Sequence, residues 1–137
     1  MKNNNYPTWL VSLEIAKELR EIGFHELVQN SYYSNKGTER ILSSTLRLEK
    51  KSLADANILN FLVSLPTWEQ VFEWFREKGM FHSICIVNDL LEDIKYFEAE
   101  IRDNNGDIIC ILSRVTYEEA REALVKALIQ TYKNEQL

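Results

Sequence analysis

Four glycines (23, 37, 79 and 106) and two prolines (7 and 66) are the only strong breakers of regular structure in 137 residues. A chain so poor in breakers must form long elements that begin and end near those positions. Helix-capping residues supply the other end signals. Ser12 is a candidate N-cap for a helix from Leu13 to Ile22, with Ile15, Leu19 and Ile22 at helical spacing. Gly23 then stands at the left-handed position after the helix, and Phe24 is placed to pack back on Leu19. Thr67-Trp68-Glu69-Gln70, just after Pro66, spells a capping box for a helix ending at Lys78 and Gly79. Trp68, Val71, Phe72 and Phe75 share an arc of about 100° as its core face, with Trp74 outside that arc. Thr116 and Glu119 open a last helix to about Lys133.

Between the helices the period changes to two. Phe81–Asn88, Tyr96–Arg102 and 107–114 read as three strands. Asn105-Gly106 forms the second turn as a pair of residues tolerant of positive φ. Earlier, 26–34 and 40–49 read as a hairpin turning at Gly37, while 52–64 suits either a short buried helix or an apolar crossover. The order is α-β-β-(α)-α-β-β-β-α. It predicts a single α+β domain over 1–137 with a flexible tail at 1–6, an antiparallel sheet and helices packed on it. Apolar residues at 45% and charged residues at 27% fit an ordinary globular domain.

The segments Pro66–Lys78 (PTWEQVFEWFREK) and Thr116–Leu124 (TYEEAREAL), with the helix of residues 12–23, resemble a group of small uncharacterised proteins of gut bacteria and their prophages. The matching residues are caps and core faces. What the resemblance implies is therefore a shared fold, with no site residues to carry over.

Charge and motif exclude several chemistries. The net charge of −5 argues against nucleic acid as a partner, because phosphate binding needs a basic face. The densest basic stretch, Arg40, Arg47, Lys50 and Lys51, is broken by Glu49. The opening MKNNNYP lacks the apolar core of a signal peptide, and no apolar run reaches membrane-spanning length, so a cytoplasmic protein without membrane contact is expected. Cys85 and Cys110 sit in apolar runs and read as buried thiols. His82 and Cys85, three apart on a strand, point to opposite faces and make a poor metal pair, the expected arrangement being an edge histidine and a core cysteine. The run from Asp103 to Asp107 has a calcium-loop composition but the spacing of a hairpin.

No catalytic, cofactor-binding or metal-ligating set emerges, and no cofactor is expected. What remains is aromatic: of 15 Phe, Trp and Tyr residues, Tyr32, Tyr33, Trp74, Tyr96 and Tyr132 exceed what the core pattern requires. Val125 and Ile129 form a second apolar strip on the last helix beside Tyr132, which either the 52–64 segment or a second subunit should cover. Trp74, Val125, Ile129 and Tyr132 are the candidate interaction surface. The favoured expectation is a non-enzymatic interaction module of a prophage or mobile element, binding a protein or itself as a homodimer. The alternatives are a small hydrolase or nuclease-like enzyme holding a divalent metal on Asp89, Glu92 and Asp93, and an acidic inhibitor of a host defence protein.

Overall fold

Local capping sets the ends of the helices. In a computed structural model, which describes residues 6–26, 28–35, 38–43 and 62–136, helix α1 spans Leu13–Glu21. Ser12 Oγ accepts from the backbone N–H of Ile15 (3.2 Å). At its other end Phe24 N–H donates to the Leu19 carbonyl (3.0 Å) and Gly23 N–H to that of Arg20 (3.2 Å). Those two bonds are the Schellman pair, and they place Gly23 at φ 102°, where a side chain would be strained.

The chain divides into two compact units, Met1–Gln70 and Val71–Leu137. In the first, strands β1 (Asn30–Asn35), β2 (Thr38–Ser43) and β3 (Leu62–Ser64) form an antiparallel sheet in the order β2-β1-β3. Helix α1 packs against β3. Leu10, Val11, Ile15, Leu19, Phe24, Val28, Tyr32, Val63 and Leu65 are buried in this unit. Tyr32 lies opposite Val63 in the register. Burial pushes its hydroxyl pKa upward, and the neighbouring Glu39 adds to the rise. The expected hairpin is therefore present, but its first strand starts at Asn30 instead of residue 26. The turn at Gly37, the continuation to 49 and the helix-or-crossover question over 52–61 lie outside the described residues, as does the tail at 1–5; the end of that segment, Leu62–Ser64, is strand.

Helix α2 (Trp68–Glu77) begins with the expected capping box. Gln70 N–H donates to Thr67 Oγ1 (3.1 Å), and Thr67 N–H donates to Gln70 Oε1 (2.8 Å). Strands β4 (Phe81–Asp89), β5 (Ile94–Arg102) and β6 (Ile108–Arg114) follow as an antiparallel meander in the order β4-β5-β6. Helix α3 (Tyr117–Glu135) closes the chain, with Thr116 Oγ1 accepting from Glu119 N–H (3.1 Å). Here the box is one-sided, because the Glu119 carboxylate accepts from the Thr116 hydroxyl (2.9 Å).

The second unit thus runs from most of α2 through the three strands to α3. Helix α3 lies against β5 and β6. Ala99 and Ile101 of β5 and Ala120, Leu124, Val125, Leu128 and Ile129 of α3 are buried. Two three-stranded antiparallel sheets with three helices, among the described residues, make the protein α+β.

Candidate interaction surface

Of the four residues expected to form an interaction surface, Trp74, Val125 and Ile129 are buried and Tyr132 is half-buried. Val125 is 0% exposed, Ile129 1% and Trp74 5%. The Tyr132 ring lies 5.3 Å from that of Trp74 and 6.4 Å from that of Phe75. Lys78 Nζ stands 4.9 Å from the centre of the Trp74 ring. The expected cover was the 52–64 segment or a second subunit. Within the second unit it is the aromatic side of α2 that meets Tyr132. Trp74, assigned to the margin of the helix face, is buried along with Val71, Phe72 and Phe75. Trp68, assigned to the core, is half-buried and donates from Nε1 to the Thr8 carbonyl (2.9 Å).

The surface left uncovered is the sheet itself. Directly opposed residues of antiparallel strands share a face, so the register sorts the side chains of the second sheet into two sets. His82, Ile84 and Ile86 share one face with Phe97, Ala99 and Ile101 of β5 and with Cys110 and Leu112 of β6. Ala99 and Ile101 are buried, which marks this as the inner face. The outer face carries Phe81, Cys85 and Val87 on β4, Tyr96, Glu98, Glu100 and Arg102 on β5, and Ile108 and Ile111 on β6. Phe81 is 42% exposed, Ile108 48% and Ile111 51%. Ser83 and Ser113 share this face, so the outer strands are largely apolar and the middle strand carries the charges. Glu100 and Arg102 pair across 2.7 Å, which holds the Glu100 carboxyl below its ordinary range. Arg102 Nη1 also donates to the Gly106 carbonyl (2.7 Å), tying the middle strand to the following turn.

The cysteines and the histidine exchange their expected roles. Cys85 is exposed on the outer face, and Cys110 is half-buried on the inner one. They lie on opposite faces, so the sheet keeps their thiols apart. His82 is on the inner face, stacked on Phe72 at 4.1 Å and 17°. Alternation correctly separates His82 and Cys85 onto opposite faces, but the inner face is that of His82 and the outer face that of Cys85, the reverse of the expected arrangement.

The carboxylates named for metal chemistry do turn-forming work instead. Asp89 Oδ1 accepts from the N–H groups of Leu91 (3.0 Å) and Glu92 (3.4 Å), closing the β4–β5 loop. Asp93 adopts φ 54°, the left-handed region that Asp tolerates. At the tip, Leu90 is 84% exposed and Leu91 99%. In the next loop Asp103 Oδ1 accepts from Asn105 N–H (2.9 Å) and Asp107 N–H (3.0 Å). Gly106 is left-handed at φ 83°, but Asn105 is not, so the turn is not the paired positive-φ type expected from Asn-Gly. Among the described residues no group of three or more His, Cys, Asp or Glu is gathered where it could hold a metal ion. Nor is any described helix long and apolar enough to cross a membrane.

Sequence reasoning missed the outer sheet face because it read the thiols within the apolar runs of β4 and β6 as buried. The signal was present in β4 and β6, which carry apolar residues at consecutive positions (Ile84-Cys85-Ile86-Val87 and Ile108-Ile109-Cys110-Ile111-Leu112) where a one-sided strand would alternate. Compared with known proteins, the chain matches no family model, no curated protein and no solved structure.

Proposed function

We propose that this protein is a non-enzymatic interaction module, an accessory protein of a prophage or mobile element that acts in the cytoplasm by binding another protein or itself. The observation that carries the reading is the outer face of the second sheet, where Phe81, Cys85, Ile108 and Ile111 remain exposed. Single exposed apolar residues are ordinary, but several on one sheet face, flanking a charged strand, have the composition of a contact surface. The hydrolase reading is weakened by Asp89, whose Oδ1 is engaged by two backbone amides of its own loop.

The test is affinity capture from cells that naturally encode the protein, comparing wild type with a Phe81→Ser, Ile108→Ser variant. The reading expects a partner recovered in stoichiometric amount by wild type and lost by the variant while its circular dichroism stays native. Equal capture by both proteins, or by neither, would contradict it.

A further inference from the structure

We propose that β6 is a self-pairing edge: two copies of the chain join β6 to β6, antiparallel about a two-fold axis, to make one six-stranded sheet. This goes beyond the interaction-module reading: it assigns the β6 edge to a second copy and leaves the outer sheet face to the partner of that reading.

Among the described residues β6 is paired on one side only, by β5. Its other row of backbone donors and acceptors points away from the sheet, and the chemistry that satisfies such a row is another strand. Natural edges are usually blunted by charge or proline. From Ile108 to Ser113 β6 has neither, reading Ile-Ile-Cys-Ile-Leu-Ser. A bulge does interrupt the register between Ile101 and Arg102, but it affects only the start of β6 and leaves Cys110–Arg114 regular.

Self-complementarity selects a second copy over an unrelated strand. Over the regular part of the strand, a two-fold axis through Ile111 sets Ile111 against its own copy and Cys110 against Leu112, so no like charges meet there. Arg114, the only charged residue of the strand, lies beyond these pairs, toward the bulged start of the copy's β6 and its Asp107.

The adjoining helix has the same property. A groove of about 320 Å³ runs along β6 and α3, lined by Leu112, Arg114, Glu119, Glu122 and Lys126. Along α3 the acidic residues of this groove precede the basic one, and Glu122 and Lys126 approach to 3.6 Å. Pairing β6 with its copy sets the two α3 helices antiparallel on the same side of the joined sheet. The acidic part of each helix then faces the basic part of the other. A strand pair with flanking helix contacts lies at the small end of specific interfaces, so the result is a concentration-dependent monomer–dimer equilibrium.

Sedimentation velocity on the full chain, from low micromolar to several hundred micromolar, tests the proposal. Wild type is expected to pass from monomer to dimer. Ile111→Lys, at an exposed position, should weaken dimerisation by about tenfold or more, with Ser113→Lys as a second edge variant should the first fail to fold. Cys85→Lys, on the same sheet face but on β4, should dimerise as wild type does. A wild type that stays monomeric throughout overturns the proposal. So does a folded edge variant that dimerises normally, or a folded Cys85→Lys that does not dimerise. A monomer that still captures a partner through Phe81 and Ile108 overturns self-pairing alone; a monomer that captures nothing overturns the interaction reading too.

Discussion

Asp103 closes the β5–β6 turn with one carboxylate oxygen, which receives the amides of Asn105 and Asp107. Removing it by Asp103→Ala should cost about 1 kcal/mol, the net worth of exposed turn hydrogen bonds. Asp103→Asn should cost much less, because its amide oxygen can accept the same bonds; urea titration of the two variants checks the order. Glu100 makes a second residue-scale prediction. Its pKa is lowered, chiefly by the hydrogen bond from Arg102. A carboxylate depressed in the folded state stabilises above its unfolded pKa, and the stabilisation fades as pH falls through the folded value. An NMR titration should find Glu100 ionising below the ordinary 4.5. In Arg102→Gln the midpoint should rise back toward it, and an unchanged midpoint would show that the pair does not form in solution. These side-chain roles were only half legible. The loop spacing at Asp103 pointed to a hairpin and away from calcium, while the choice of which residue goes left-handed depended on backbone closure that composition does not encode.

At the scale of the element, caps were the most legible feature, because they depend on residues three or four apart. Ser12, Thr67 and Thr116 stand where their hydroxyls reach the first free amides, and Gly23 and Gly79 end their helices as read from sequence. Thr67→Ala should lower stability by about 1 kcal/mol. Helix faces were less legible. Trp74 lies outside a 100° arc, yet it is buried because α2 meets Tyr132 of α3 as well as the β-strand residue His82, which Phe72 stacks on. A helix with two neighbours buries a wider arc than its own periodicity announces. The same holds for α3, where Val125 and Ile129 are as buried as Leu124 and Leu128. Ile129→Ala should therefore cost about 2–5 kcal/mol. A loss below about 1 kcal/mol by denaturant titration would return this strip to the surface. Tyr117, the first residue of α3, stays 42% exposed with its ring against Phe97.

For the whole molecule, the α+β class followed from element order, but the grouping of the six described strands into two sheets did not, since pairing is non-local. Strand alternation has a related limit. Parity fixes which residues share a face, as with His82 and Cys85, whereas tertiary packing decides which face turns inward. The distinction matters for function, because the apolar residues of β4 and β6 looked like core in sequence and prove to include a solvent-facing row. If this row is a contact surface, the free protein should show no change of melting temperature with millimolar Mg²⁺, Mn²⁺ or Ca²⁺. A metal at a hundred times its dissociation constant would add about 2.7 kcal/mol, and a rise abolished by Asp89→Asn would favour the enzyme alternative.

The native thiol of Cys85 offers the most direct test that the outer sheet face meets a partner. Cys85 is exposed on that face, on β4 and away from the β6 edge. Its alkylation can be followed by mass spectrometry in dilute purified protein and in intact cells producing it at natural abundance, scaled to a reference thiol introduced by Glu73→Cys at an exposed position of α2. The account predicts that Cys85 reacts readily in the purified protein and is protected in cells, relative to that reference. Equal relative reactivity in the two settings would contradict it.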